Sequence, residues 1–132
     1  MCIRDSLYRP LADLLAEVYE RYNRPIIIAE TGAEAGNGPG WLRYVSGEVR
    51  SARAAGVPVY GICLYPVMDY PGWTNLRHCR CGLIQLDSNY EERRLDNSLL
   101  EELKRQRTVF SEVETQSECL HGDEELTRML GM

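Results

Sequence analysis

Two short apolar runs, each containing a proline near its start and neither alternating with polar residues, constrain this chain more than any other feature. They are Pro25-Ile26-Ile27-Ile28-Ala29 and Val57–Tyr65. A strand with one wet face alternates apolar and polar residues, whereas an unbroken β-branched run suits a strand buried on both faces of a parallel sheet. Between the runs, Trp41–Ala55 sets Leu42, Val45, Val49 and Ala52 on one helical face, with Gly56 as its stop. Strand, loop, helix and strand within about 40 residues make a βαβ unit.

The flanks extend this α/β order. Leu11, Leu14, Leu15, Val18, Tyr19 and Tyr22 have helical spacing; Pro10 suits the first turn and Asn23-Arg24-Pro25 ends the helix. Tyr65–Trp73 leaves the second strand as a loop, and Cys81–Asp87 is a short extended stretch. Ser98 and Glu101 have the spacing of a capping box opening a third helix that runs to Phe110, and Glu124–Leu130 has the pattern of a short terminal helix. Two parallel strands leave edges and faces that demand neighbours, so the chain is expected to be part of a larger sheet.

Charge excludes several function classes. The net charge is −5, yet acids and bases balance at fourteen each up to Arg107, and the remainder holds six acids and one arginine. Residues 111–132 therefore read as an acidic tail or linker. No basic stripe exists to track a phosphate backbone, which speaks against nucleic acid, and no apolar run approaches the roughly 20 residues of a membrane span. Five cysteines (Cys2, Cys63, Cys79, Cys81 and Cys119) are too few and too odd for a disulfide framework, and read as reduced thiols of a cytoplasmic protein. Met1-Cys2-Ile3-Arg4-Asp5-Ser6 resembles a translated transposon-end sequencing adaptor, so residues 1–6 are read as an artefact and set aside.

Glu30 is the sharpest candidate for chemistry. A carboxylate just past a buried parallel strand points into the mouth of an α/β sheet, where the active sites of (β/α)8 barrels lie; the competing reading is an ordinary loop carboxylate. The glycine-rich loop that follows, with Glu34, Asn37 and Gly36-x-Gly38-x-Gly40, lacks the lysine of a phosphate-binding loop and reads as the rim of a site. His78, Cys79 and Cys81, even with Cys63, have the wrong spacing for structural zinc and read as packed thiols.

PIIIAETG (Pro25–Gly32) resembles the seventh strand of clan-A glycoside hydrolases, which ends in the nucleophilic glutamate. GICLYPVMDYPGW (Gly61–Trp73) is similar to the eighth-strand segment of family 1 β-glycosidases, and CGLIQLD (Cys81–Asp87) resembles that family's Arg-Phe-Gly-Leu-x-x-Val-Asp run. The resemblance implies an incomplete (β/α)8 TIM barrel: residues 7–110 would supply its last two strands with flanking helices, and the N-terminal part of the same barrel would be the missing partner. It implies a retaining glycosidase in which Glu30 attacks the anomeric carbon, Tyr65 and Trp73 line the sugar site, and Asp69 either binds substrate or accepts from loop backbone. The acid/base glutamate of the family lies on strand four, so the chain alone is expected to be inert. No metal or organic cofactor is implied, since carboxylates and water suffice. Tyr65 stands in place of the family's tryptophan and Gly72 in place of a sugar-binding glutamate. The alternative is therefore a non-catalytic carbohydrate-binding or regulatory barrel attached to another domain.

Overall fold

The computed structural model describes residues 8–34, 36–75 and 77–112. The adaptor-like segment, most of the acidic tail, the helix expected over Glu124–Leu130 and His121 lie outside them. The elements run α1 (Leu11–Tyr22), β1 (Ile26–Thr31), α2 (Gly38–Ala54), β2 (Val59–Leu64), β3 (Tyr70–Pro71), β4 (His78–Cys79), β5 (Ile84–Leu86) and β6 (Arg93–Leu95). A final helix, α3, covers 97–112.

β1 and β2 pair in parallel, with Ile26 opposite Val59 and Ile28 opposite Ile62, and α2 connects them. The βαβ unit expected from the sequence is therefore present. Leu15, Val49, Ala52, Val57 and Val59 form the core beneath α1 and α2, with Ile26, Ile28 and Ile62 packed against it. The other faces are open: Ile27 is 60% and Tyr60 75% exposed. This corrects the reading of both strands as buried on two sides, because the described helices cover only one face. The same holds for α1. Leu11, Leu15 and Tyr19 face the core, whereas Leu14, Val18 and Tyr22 form a second row turned to solvent.

The helix ends follow local chemistry. Asn23 closes α1 in the left-handed conformation (φ 47°), a geometry asparagine tolerates, and its N–H donates to the Tyr19 carbonyl at 2.7 Å. Pro10 offers no side-chain acceptor at the other end. There, α2 supplies them: the Leu11 N–H reaches the Tyr44 hydroxyl at 3.4 Å and the Ala12 N–H reaches Glu48 Oε2 at 3.0 Å. α2 begins at Gly38, three residues before the expected Trp41, since Pro39 fits a first helical turn that has no need of its missing N–H. Gly56 (φ +87°) makes the turn that ends α2, its N–H donating to the Arg53 carbonyl at 2.9 Å.

The start of α3 also differs from the expectation. Asp96, not Ser98, is the cap: its Oδ1 accepts the Leu99 N–H at 3.0 Å and its carbonyl accepts the Leu100 N–H at 2.9 Å. Asp96 is still held in extended backbone beside β5, donating to the Leu83 carbonyl at 2.9 Å, so the helix turns there and Ser98 lies inside it.

α3 is fastened to α2 by a polar cluster. The nearly buried Glu102 carboxylate accepts from Arg43 at 2.8 Å, Arg105 at 2.6 Å and Gln106 at 2.6 Å, while Arg50 donates to Gln106 Oε1 at 2.7 Å. Chiefly through the Arg105 hydrogen bond, its pKa is held at about 2, below the ordinary 4.5. A depressed carboxylate pKa adds stability that is full above the unfolded value and is lost as pH falls from about 4.5 toward 2. Because both arginines remain half-exposed, Glu102→Gln is expected to cost about 2 kcal/mol near neutral pH. Denaturant titrations at neutral pH and near pH ~3 check this: the difference between the two proteins should shrink on acidification. A constant difference would show that the charge contributes nothing.

Candidate active site

The carboxyl ends of β1 and β2 border an open cleft of about 420 Å³ lined by Glu30, Thr31, Glu34, Trp41, Tyr65 and Tyr70, among others. Its base depends on how the two strand ends meet. The Tyr65 N–H donates to the Thr31 carbonyl at 2.9 Å, which continues the parallel ladder. A Cβ on Gly32 would overlap the Tyr65 carbonyl oxygen, so only glycine allows this approach. Tyr65–Pro66 is a cis peptide. A register shift between Ile28 and Thr31 lets Glu30 and Thr31 border the same cleft. Glu30 lies within β1, one residue before its end, and not after the strand as the sequence suggested.

Glu30 is exposed and has no hydrogen-bond or ion-pair partner among the described residues. Glu34 is different. It receives both Arg77 terminal nitrogens at 2.9 Å, and that hydrogen bonding lowers its pKa. Of the two carboxylates, Glu30 alone is left for a ligand. Burial raises the pKa of the Tyr70 hydroxyl and of the Cys81 thiol at the cleft, so both stay neutral near pH ~7. An unpaired carboxylate flanked by aromatic rings and neutral donors suits nucleophilic attack on a neutral, ring-shaped ligand.

The structure brings Glu30 and Tyr65 together and separates Trp73 and Asp69 from them. Trp73 is 88% exposed on the turn joining β3 to β4 and does not line the cleft. In the same turn, a Cβ on Gly72 would come within 2.6 Å of Asn75 Oδ1 and 3.3 Å of the Arg77 carbonyl. The nearer contact is the tip of a side chain and the other is tight, so a glutamate there requires Asn75 to move and the Arg77 carbonyl to shift slightly.

Asp69 lies at 4% exposure, with Oδ1 accepting the Cys81 and Gly82 N–H groups at 3.0 and 2.8 Å and Oδ2 accepting the Leu86 N–H at 3.1 Å. These contacts favour the loop-acceptor reading over the sugar ligand. His78 Nε2 stands 3.4 Å from Oδ2, off the line of a hydrogen bond, and its ring packs on Tyr90 at 5.0 Å. Cys79 and Cys81 donate to the carbonyls of Arg77 and Cys79. Among the described residues, no three His, Cys, Asp or Glu side chains are grouped to hold a metal ion.

Trp41 and Tyr70 are among the lining residues that the sequence does not single out. Trp41 was read as the first residue of a helix, and an aromatic side chain in the first turn after a strand-end loop was the available signal. Nothing local distinguishes Tyr70 from any loop tyrosine.

No protein-family model matches the chain, and no curated protein matches it. Solved structures do. The β-glycosidase of the hyperthermophile Thermosphaera aggregans superposes with a TM-score of 0.65 at 27% identity, covering 74% of this chain and 21% of that one. A hyperthermophilic β-glucosidase mutant that forms a dodecamer in its crystal matches at 0.63 and 27%, covering 70% of this chain and 21% of its own. The family 1 β-glucosidase of Thermotoga maritima matches at 0.62 and 23%, covering 70% and 24%. The chain thus spans between a fifth and a quarter of the length of these structures, and its α/β fold corresponds to a part of a TIM-barrel glycosidase.

Proposed function

We propose that this chain carries the nucleophile side of a retaining, β-glucosidase-like glycoside hydrolase site, with Glu30 as the nucleophile. The observation that carries the reading is an exposed carboxylate, without an ionic partner, at the carboxyl end of one parallel strand and facing the same cleft as Tyr65 from the next. Glu30 would attack the anomeric carbon while a second carboxyl group protonates the leaving oxygen. In the family this segment resembles, that acid lies on strand four, so ordinary glycosides are expected to be inert toward the chain alone. Tyr65 would offer its ring to the sugar.

A 2-deoxy-2-fluoroglucosyl fluoride tests this on the chain itself. Fluoride departs without protonation, so no acid is needed. The C1–F bond breaks, a Glu30 Oε–C1 ester bond forms, fluoride leaves, and the fluorine at C2 slows hydrolysis of the ester. Mass spectrometry should find one adduct, on the peptide containing Glu30, absent from Glu30→Gln. An adduct on another carboxylate would reassign the nucleophile. Sugar binding with no adduct would instead favour the non-catalytic binding barrel, the reading that Gly72 supports.

A further inference from the structure

We infer that the acidic tail of this chain, residues 113–132, docks in a groove between α2, β2 and α3 and covers the unpaired edge of β2. The inference is independent of the glycoside reading, because the groove shares no lining residue with the cleft at Glu30. It holds about 300 Å³, and Leu42, Val49, Ile62, Leu64, Leu103 and Phe110 make it largely apolar. Val59–Ile62 line it without a break. Consecutive strand residues point to opposite faces, so the groove reaches round the edge of β2 that β1 leaves unpaired. A bare sheet edge invites pairing, and proteins commonly cover such edges with a helix or loop.

Two polar features define what fits there. Ser46 is 1% exposed and lines the groove, yet its Oγ has no hydrogen-bond partner among the described residues. A buried hydroxyl left unpaired is costly, and an occupant with a polar group removes that cost. Arg53 and Arg107 also line the groove, whereas none of its lining residues is an acid. The complementary occupant is therefore both apolar and acidic.

The tail has that composition, and it starts in the right place. Phe110 and Ser111 line the groove and α3 ends at residue 112, so residue 113 begins at its lip. Residues 113–132 hold five acids, Glu114, Glu118, Asp123, Glu124 and Glu125, against the single Arg128. Leu126, Met129 and Leu130 recur at the spacing of one apolar helical face. A tail seated there competes with any strand that pairs on the same edge, those expected from the rest of a barrel included.

Hydrogen exchange of the full 132-residue chain, read by mass spectrometry, tests this. Peptides from β2 and from the tail should both be protected. Arg107→Glu should speed exchange in both about fivefold, the upper range for one surface ion pair. Leu126→Asp combined with Met129→Asp, which alters no groove residue, should speed it further while α1 keeps its protection. Unprotected tail peptides in the unmodified chain, or β2 exchange that both variants leave unchanged, would overturn the inference. Protection that grows with protein concentration would give the groove to a second copy and overturn it equally. If Arg107→Glu loses protection in α1 as well, that variant has unfolded and the tail variant decides alone.

Discussion

In a barrel that joins this chain to strands bearing an acid/base carboxylate, Glu30→Gln is expected to lower hydrolysis of an activated aryl β-glucoside by several orders of magnitude. The amide keeps the shape and hydrogen-bonding reach of the side chain but cannot attack the anomeric carbon, so the covalent step is lost. Binding should change little, and the loss should appear in kcat more than in KM. Glu30→Gly opens the same face, so added azide should restore turnover and give a product of inverted configuration. Near-normal rates for both variants would reduce Glu30 to a loop carboxylate.

The second large effect is structural and lies at Asp69. Its two oxygens serve three backbone N–H groups, at Cys81, Gly82 and Leu86, inside a segment with little other regular structure. Asp69→Ala leaves those donors, that of Gly82 buried and those of Cys81 and Leu86 part-buried, without an acceptor. At about 1–3 kcal/mol per orphaned group, and less than the sum for neighbours, the expected cost is about 3–5 kcal/mol. Asp69→Asn retains one acceptor oxygen and should cost roughly half as much. Amide exchange at the three donor positions, read with the denaturant midpoint, distinguishes the outcomes. Unchanged protection in Asp69→Ala would exclude the loop-acceptor role. An Asp69→Asn protein that keeps its protection but loses sugar affinity would restore Asp69 as a ligand.

The parts of this molecule that were legible in the sequence are those whose determinants are local. Ile26–Ile28 and Val59–Leu64 announce strands through composition, Leu42, Val45, Val49 and Ala52 announce a helical face through spacing, and Asn23 and Gly56 mark ends through backbone preference. The place of Glu30 near the carboxyl end of the first strand was legible because a polar residue interrupts an apolar run there. What could not be read depends on partners distant in the chain. Glu102 resembles any acid of a charged helix until Arg43, 59 residues away, meets it. The two-residue strands β3 and β4 carry no periodicity at all. Asp69 and Trp73 stood close together in one motif, yet a bend between them places one inside and one outside. Sequence spacing could not separate them, since the turn at Gly72 is set by contacts with Asn75 and Arg77.

The first turn of α1 draws its hydrogen-bond acceptors from Tyr44 and Glu48 of α2. A helix capped by its own side chain can hold its end while its surroundings loosen; this one cannot. Withdrawal of α2 uncaps α1 in the same event, and α2 in turn connects the two strands whose ends form the cleft. Local opening is thereby merged into one cooperative unit reaching from Leu11 to the strand ends, so the geometry around Glu30 persists or disappears together with a helix end formed by residues far from it in sequence.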